Sequence, residues 1–246
     1  MNLRVRYRRI LWFFAGVILR LVWWDVFLPA VGLKKLAARS RTARLASIAM
    51  QFRRLAVQMG GVMIKMGQFL SSRLDVLPRE ITDELSGLQD EVLPASFDEV
   101  RPIIEKELGA ALGARFVEFD PEPLAAASIG QVYRATLAPG AAGGDPLRVV
   151  VKVQRPHIDE IVRVDLSAFA VVSRWVHRYP PVRRRANVPA LVQEFSQSLM
   201  EEVDYLHEGK NAETFAQNFT GRPDVRVPLV YWSHTTRRVL TLEEVQ

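Results

Sequence analysis

The sequence predicts an α+β fold, in which helices pack on an antiparallel sheet of five strands. Short runs rich in Val, Phe and Leu follow one another between residues 116 and 153, as expected of strands. Stretches with helical spacing of apolar residues precede and follow them. The resulting order is three strands, a long helical region and two further strands, which builds an antiparallel sheet with helices on it. At 246 residues, the chain is long enough to bury a core.

Each element can be placed along the chain by its periodicity and by the Pro and Gly residues that interrupt it. The expected strands are Phe116–Ala126, Gln131–Leu137, Leu147–Val153, Val225–Trp232 and Arg238–Glu243. The segment Ala138–Pro146 (APGAAGGDP) is expected to be a flexible hairpin loop. The expected helices are Arg41–Leu74, Pro78–Leu88, Phe97–Leu108, Ile158–Arg178 and Pro189–Phe219.

Composition excludes two kinds of site. The chain has no cysteine, so it can form neither a disulfide framework nor a thiolate metal centre. The four histidines are scattered, and no two of them share a helix face at ligand spacing. We therefore expect no zinc or iron centre, and no metal ligand among these residues.

Charge is distributed unevenly along the chain. Residues 1–54 contain twelve Lys and Arg residues and a single acid, Asp25, whereas the remainder of the chain is net negative. A basic arm of this kind predicts an anionic partner, which is either a membrane surface or a nucleic acid.

The apolar run Ile10–Leu33 favours the membrane. Arg20, Asp25 and Pro29 interrupt it, which disfavours a transmembrane span, and no convincing signal-peptide cleavage site follows. An interfacial helix with its tryptophans at headgroup depth fits better. A helix buried against the rest of the protein is the alternative. Nucleic acid is the weaker partner, because the aromatic residues lie inside a continuous apolar run and not in a basic groove.

Lys152 interrupts the β-branched run Val149–Val153. Burying an ammonium group is costly unless an anion pairs with it. In a kinase-like sheet, such a lysine holds the α- and β-phosphates of ATP and is fixed by a glutamate of a following helix. The segment Ala125–Gln131 (AAASIGQ) lies where a kinase carries its glycine-rich loop, and its small residues allow the backbone to approach phosphate.

The long helix expected over Pro189–Phe219 carries acidic residues. Asp204, Glu208 and Asn211 have the i, i+4, i+7 spacing of one helical stripe. Lys152 can neutralise one carboxylate, and the segment Lys65–Gln68 (KMGQ) offers a second cation.

Taken singly, each feature has an ordinary explanation. A strand lysine is usually an exposed edge residue, an acidic helix patch is usually a solvated face, and an alanine-rich loop is usually only a loop. The order and spacing of the three features together indicate function.

Four stretches resemble the UbiB (AarF-type) family of atypical kinases, which is tied to ubiquinone and isoprenoid-lipid metabolism. They are distributed from residue 60 to residue 215 in the family's order: GGVMIKMGQFLSSRLDVLPREITDELSGLQDEV at 60–92, PLAAASIGQVYRATL at 123–137, VVVKVQRP at 149–156 and EEVDYLHEGKNAETF at 201–215. One departure is Gly209, where the family more often has alanine.

The resemblance implies a role for individual residues. Lys152 is expected to bind phosphate and Glu208 to be its ion-pair partner. Lys65 and Gln68 are expected on a lid over the active site, with Glu202 and Asp204 receiving Lys65. The expected nucleotide-binding loop consists of Ala125, Ala126, Ala127, Ser128, Ile129 and Gly130. The adenine-binding hinge is expected to begin at Leu242, Glu243 and Val245.

The resemblance also implies an architecture. Residues 1–40 would be the basic, aromatic interfacial helix, 41–115 the helical lid extension, and 116–246 a protein-kinase-like N-lobe ending at the hinge. The lid favours a small or lipid-derived substrate, or nucleotide hydrolysis coupled to moving a lipid, over phosphorylation of proteins.

The expected cofactor is ATP or ADP with Mg²⁺, whose metal ligands the family places in a second lobe. No Asp-x-His-Pro-Gly-Asn-like loop and no Asp-Phe-Gly turn occurs in the sequence, so this polypeptide alone is expected to have no measurable ATP turnover.

Three classes of function follow. The first is an ATP-dependent kinase or ATPase of ubiquinone or other isoprenoid-lipid metabolism at the cytoplasmic face of a membrane. Its expected partners are nucleotide, an anionic membrane surface, isoprenoid lipid and lipid-biosynthesis proteins. The second is a non-catalytic nucleotide-binding scaffold on the membrane. The third, a basic nucleic-acid binder, is disfavoured.

Overall fold

The computed structural model describes residues 2–89, 93–138 and 145–245. The end of the first resembling stretch, at 90–92, and most of the expected hairpin loop Ala138–Pro146 lie outside these ranges. The chain divides into two compact units: Met1–Val92 with Asp159–Gln197, and Leu93–Ile158 with Ser198–Gln246. We refer to them as unit 1 and unit 2. The expected segments 1–40, 41–115 and 116–246 follow chain order instead and stay a prediction.

Unit 1 begins with a helix long enough and apolar enough to cross a membrane. It runs over Leu3–Ala30 and comprises α1 (Leu3–Val22), a π-helical turn (Trp23–Phe27) and α2 (Leu28–Ala30). One such helix near an N-terminus is weak evidence for a membrane span. Asn2 caps it by accepting a hydrogen bond from the Arg4 amide.

Four further helices of unit 1 follow: α3 (Lys34–Arg39), α4 (Arg41–Met59), α5 (Val62–Ser71) and α6 (Arg79–Ser86). The prediction of one helix over Arg41–Leu74 is wrong, because the chain breaks at Gly60 and Gly61. Both residues have positive φ, of 62° and 57°, a conformation that glycine adopts without a steric penalty. The break separates α4 from α5, and both helices pack against α6.

Residues 159–197 return to unit 1 through most of α9 (Ile158–His177), then α10 (Pro180–Arg183) and the first part of α11 (Val188–Glu202). Aromatic rings connect these helices to the earlier ones. Phe169 of α9 contacts Phe14 of α1 and Phe195 of α11, and Phe195 contacts Phe69 of α5. The core of unit 1 is therefore built from distant parts of the chain.

Unit 2 contains the antiparallel sheet. Its strands are β1 (Glu118–Phe119), β2 (Ala125–Ala126), β3 (Gly130–Leu137), β4 (Leu147–Gln154) and β5 (Val239–Glu243). They lie in the order β1-β3-β4-β5, with β2 also paired to β3. The register joins Val132 to Lys152 and Lys152 to Leu240. The predicted α+β class is confirmed, although the expected first strand consists of two short strands.

One face of the sheet packs on α7 (Phe97–Leu108) and α8 (Leu112–Arg115). The core there includes the fully buried Tyr133, Val149, Val151 and Ile104. Because side chains alternate along a strand, β4 directs every second residue to this core and leaves the others on the opposite face.

The prediction of a strand at Val225–Trp232 is wrong. Only Val230 forms a bridge, to Leu242, and a 3₁₀ turn follows at Trp232–His234. Pro228 lies inside the segment and has no amide hydrogen for a ladder, which explains why no strand forms.

The prediction of one helix over Pro189–Phe219 is also wrong. The chain leaves helical geometry at Asp204 and begins α12 (Tyr205–Asn218). Asp204 has φ −110° and ψ 95°, and its side chain accepts a hydrogen bond from the Leu206 amide. It is an N-cap, a position that aspartate favours.

Candidate functional site

Lys152 lies on the face of the sheet opposite the core of unit 2. Its strand neighbours Val151 and Val153 are buried in that core, so alternation directs Lys152 to the other side. It stands between Val132 of β3 and Leu240 of β5 in the ladder. A central strand and a β-branched run therefore fix the lysine stem.

Glu208 of α12 holds the ammonium group of Lys152. The Nζ atom donates to Oε1 and Oε2 at 2.7 Å each. Charge-assisted hydrogen bonds to both oxygens give the ammonium a defined position. The side chains of Lys152 and Glu208 are 24% and 38% exposed, so a ligand can still approach this cation.

The alanine-rich loop forms a tight turn between β2 and β3. The Ala127 amide donates to the Gly130 carbonyl at 2.8 Å. Arg155 fastens the turn, because its amide donates to the Ile129 carbonyl and its Nε donates to the Ala127 carbonyl, at 3.0 Å each. Ser128 and Ile129 are buried, whereas Ala125 and Ala127 are exposed. The loop is thus a fixed edge of the sheet made of small residues.

Aliphatic side chains surround Lys152 on the same face. Val132 and Val150 are half-buried there, as is Leu242, which pairs with Val150. This gives the open face an apolar surface beside a cation. Flat aromatic ligands with anionic groups match such a combination.

Glu243 and Val245, the other expected hinge residues, lie apart from that surface. Glu243 pairs with the core residue Val149, so its side chain belongs to the other face. There it accepts a 2.6 Å hydrogen bond from Arg226, which lowers the pKa of the Glu243 carboxyl below its usual value. Val245 follows the end of β5 and is exposed.

The expected lid residues fall in different units. Lys65 and Gln68 lie on α5 of unit 1, where the Gln68 side chain donates to the Leu88 carbonyl at 3.4 Å. Glu202 ends α11, and Asp204 caps α12, both in unit 2. The pairing of Lys65 with Glu202 and Asp204 stays a prediction.

The acidic stripe needs a correction. Because Asp204 caps α12 and does not belong to it, Asp204, Glu208 and Asn211 do not form one continuous helical stripe. Only Glu208 and Asn211 lie within the helix. The sequence carried a signal for this: aspartate directly before a helical run is a common N-cap.

Tyr205 is a site residue that sequence reasoning missed. Its ring lies 4.8 Å, centroid to Nζ, from the ammonium of Lys152. Burial raises the pKa of its phenol above the usual value, and the carboxylates of Glu208 and Glu202 raise it further. Because a buried tyrosine at the start of a helix resembles any core residue, periodicity alone could not have identified it.

Gly209, the departure from the family pattern, also has a physical explanation. A Cβ atom there would lie 2.9 Å from the Trp232 ring, so glycine makes room for the indole. Trp232 in turn donates its Nε1 hydrogen to Glu213 at 2.5 Å. These contacts fix the outer side of α12 next to Glu208.

Within the described ranges, no group of three or more His, Cys, Asp and Glu side chains could hold a metal ion. The residues that are present suit other parts of a nucleotide. Lys152 offers a cation for phosphate, the exposed Ala125 and Ala127 offer small side chains that a ligand can approach closely, and Val150 with Leu242 offers an apolar surface for a base.

Comparison with known proteins gives the family. The ABC1 atypical kinase-like domain matches residues 87–246. The chain belongs to this family, and its resemblance to UbiB-type proteins is confirmed. Its kinase-like fold is therefore confirmed as well.

Curated proteins with kinase names are similar to this chain in sequence. A Xanthomonas campestris "Probable protein kinase UbiB" is 41% identical over 214 residues, 86% of this chain and 36% of the relative. The Arabidopsis thaliana "Protein ACTIVITY OF BC1 COMPLEX KINASE 7, chloroplastic" is 40% identical over 193 residues, 78% of this chain and 27% of the relative. The chain thus spans about a third of the length of the curated relatives it matches.

A solved structure is similar too. It is the complex of Rv3197 with erythromycin from Mycobacterium tuberculosis, with a TM-score of 0.50 and 27% sequence identity. The match covers 90% of this chain and 51% of that one.

Proposed function

We propose that this chain supplies the ATP-binding part of an atypical kinase or ATPase that acts in ubiquinone or other isoprenoid-lipid metabolism at a membrane. The observation that carries the proposal is the Lys152–Glu208 pair, with the lysine held by both carboxylate oxygens at 2.7 Å and still partly exposed. The two hydrogen bonds fix the ammonium, and its partial exposure leaves it accessible to a phosphate group.

Each part of the site has a task in this proposal. Lys152 binds the α- and β-phosphates, and Glu208 keeps its ammonium on the open face of the sheet. The Ala127–Gly130 turn lies along the phosphates, and Val150 with Leu242 contacts the base. Bound ATP with Mg²⁺ would supply the transferable phosphoryl group.

Nucleotide titration of the 246-residue chain tests the proposal. Binding of a fluorescent ATP analogue, measured with and without Mg²⁺, is expected to be saturable and to be displaced by ATP. Lys152→Met should weaken it by at least about tenfold, since it removes a charge-assisted phosphate contact. Glu208→Gln should weaken it less, because the cation remains but is held less firmly.

Lys106→Met is the matched control for this titration. Lys106 is an exposed lysine on α7, the helix that covers the opposite face of the sheet. The control removes the same charge from unit 2 and should leave affinity unchanged. Absence of saturable binding in the unaltered chain, or equal loss in both variants, would refute the proposed function.

The membrane part of the proposal rests on the outer face of α1. Exposed Val5, Trp12 and Leu19 recur at seven-residue spacing, which places them on one stripe. Trp23 and Phe27 follow, stacked and about half exposed. Apolar stripes of this kind, flanked by exposed arginines and lysines, insert between anionic lipid headgroups.

Contacts of the Leu3–Ala30 helix with the rest of unit 1 favour a helix that lies on the membrane. Ile10 is fully buried, Asp25 pairs with Arg44 at 3.0 Å, and Arg20 donates to Gln51 at 2.9 Å. These polar groups are satisfied within unit 1, and a helix crossing a bilayer would lose those partners.

Vesicle flotation tests this part. The chain should float with vesicles containing anionic lipid and much less with neutral phosphatidylcholine vesicles. Trp12→Ser with Leu19→Ser should reduce flotation at least severalfold, whereas Met200→Ser, an exposed apolar residue of unit 2, should not. Equal flotation of all forms would contradict the membrane assignment.

A non-catalytic nucleotide-binding scaffold is the second candidate, and the large exposed stripe of α1 is the observation that favours it. The two candidates separate on phosphoryl chemistry. In an assay of the protein as it exists in cells, binding of ATP and membrane without phosphate release or phosphoryl transfer would identify a scaffold.

A further inference from the structure

Tyr205 occupies an unusual position at the start of α12. It is the first helical residue after the cap Asp204, and its side chain is 0% exposed. Its amide donates to the Arg237 carbonyl at 3.1 Å, so the backbone at this point is tied to the chain leading into β5. The ring therefore has a fixed place in unit 2.

The ring contacts the functional lysine. The Nζ atom of Lys152 lies 4.8 Å from the ring centroid, within the range of a cation–π interaction. Glu208, one helical turn along α12, holds the same ammonium through both carboxylate oxygens. The ammonium is thus held by an aromatic ring as well as by a carboxylate, and both groups come from one helix.

The hydroxyl of the same tyrosine reaches the base of the alanine-rich loop. A Cβ atom on Gly130 would overlap with the Tyr205 hydroxyl oxygen, and it would lie 3.0 Å from the Val153 carbonyl. Glycine is therefore required at position 130 while the tyrosine is present. Within the described ranges, this buried hydroxyl has no hydrogen-bond partner. Its contact with Gly130 is therefore steric.

We propose that Tyr205 is a positioning residue that sets the spacing between the alanine-rich loop and the Lys152 ammonium, and so determines nucleotide affinity. The inference deepens the proposed function and rests on it. The rigid side chain contacts the Lys152 ammonium through its ring and approaches Gly130 through its hydroxyl, so a shift of either group is passed to the other.

Tyr205 as an ordinary core residue is the competing explanation. In that case its truncation would lower stability, and nucleotide affinity of the folded protein would be unchanged. The unpaired hydroxyl allows the two explanations to be separated. Phenylalanine keeps the ring under Lys152 and removes only the hydroxyl, so Tyr205→Phe is a conservative variant for the positioning role.

Four variants test the proposal by nucleotide titration under conditions where thermal melting shows each to be folded. Tyr205→Leu should weaken affinity about tenfold, through loss of the ring beneath the ammonium. Tyr205→Phe keeps the ring beneath the ammonium but loses the contact with Gly130, so it should weaken affinity by less than Tyr205→Leu does. Gly130→Ala should weaken affinity, because the new Cβ displaces the hydroxyl. Adding Tyr205→Phe to Gly130→Ala should restore part of the loss, since the nearest ring carbon is then 3.6 Å away.

Tyr133→Leu is the control for lost stability. Tyr133 is also fully buried in unit 2, but it faces the core on the other side of the sheet. Its truncation should lower the melting temperature and leave the nucleotide affinity of the folded fraction unchanged.

Two results would overturn the positioning role alone: unchanged affinity in Tyr205→Leu, or a double variant that binds no better than Gly130→Ala. If the unaltered chain binds no nucleotide, the proposed function fails, and the positioning role fails with it. Recovery of melting temperature without recovery of affinity would show steric contact only and would likewise reject the positioning role.

Discussion

Two ion pairs, one in each unit, have similar distances but differ in their exposure to solvent. In unit 1, Arg6 donates to both oxygens of Asp165 at 2.6 Å, and the two side chains are 3% and 0% exposed. In unit 2, Lys152 donates to both oxygens of Glu208 at 2.7 Å, but both side chains are partly exposed. Burial, and not distance, distinguishes the pairs.

The buried pair is closed on every side. Arg6 also donates to the carbonyls of Met59 at 2.6 Å and Gly60 at 3.2 Å, where α4 ends. Burial raises the pKa of Asp165 above its usual value, although the guanidinium opposes this. The pair joins α1, the end of α4 and α9, and leaves no room for a ligand. We infer that the Arg6–Asp165 pair has a structural role, whereas the partial exposure of the Lys152–Glu208 pair leaves its cation accessible to a ligand.

Removing one member of the buried pair should have the largest effect on stability. Arg6→Met leaves the Asp165 carboxylate buried without its cation and should lower the free energy of unfolding by about 3–5 kcal/mol. Urea denaturation followed by circular dichroism measures this. Arg6→Met with Asp165→Leu should recover most of the loss, because an apolar pair of similar size needs no charge compensation.

If Arg6→Met lowers the free energy of unfolding by less than about 1 kcal/mol, this pair contributes no more than an ordinary surface pair does. The comparison of the two units would then fail, because burial would not separate their roles.

Lys152→Met should change stability much less. The pair is partly solvated, so its removal should lower the free energy of unfolding by about 1 kcal/mol or less, while nucleotide binding weakens at least about tenfold. The same denaturation measurement, with Glu208→Gln alongside, gives the comparison with Arg6→Met. A loss as large as that of Arg6→Met would mean that Lys152 holds the fold together.

A smaller effect is expected from pH in unit 2. His234 lies against the Arg115 carbonyl at 3.1 Å, and burial lowers the pKa of its imidazole below the usual value. The folded state therefore binds fewer protons than the unfolded state, so stability should fall as the pH drops below about 6.5. Because His234 is only half-buried, the loss should stay below about 1 kcal/mol.

Melting curves between pH 7.5 and 5.5 measure this, and His234→Gln is the comparison. The variant keeps a side-chain donor for the Arg115 carbonyl and does not titrate. A pH dependence identical to that of the unaltered chain would remove His234 as the cause.

The sequence predicted the Lys152–Glu208 contact of unit 2 but not the Arg6–Asp165 contact of unit 1, for a physical reason. Strands β3 and β4 and the approach of Glu208 to Lys152 follow from alternation and from motif spacing, which are local signals or family patterns. The Arg6–Asp165 pair joins residues 159 positions apart, and neither residue differs in the sequence from any surface charge. Only packing makes them partners.

The errors have local causes. The apolar spacing continues through Gly60–Gly61 and through Asp204 and so predicts unbroken helices there. Glycine with positive φ ends the first helix, and the capping aspartate begins a new one. The apolar residues of Val225–Trp232 predict a strand, but Pro228 within the segment has no amide hydrogen for a strand ladder. Tyr205 was missed because its importance depends on Gly130 and Lys152, which lie on strands distant from it in the sequence.

The cap at Asp204 also has a consequence for how the chain tolerates change. Because α12 begins anew at its cap, the directions of its side chains are set relative to Asp204 and not relative to α11. An inserted or deleted residue in α11 therefore does not rotate α12 about its own axis. Glu208 would still meet Lys152 after such a change, provided that Asp204 and Tyr205 keep their places. Variation in length can therefore accumulate upstream of the cap while the functional carboxylate retains its direction.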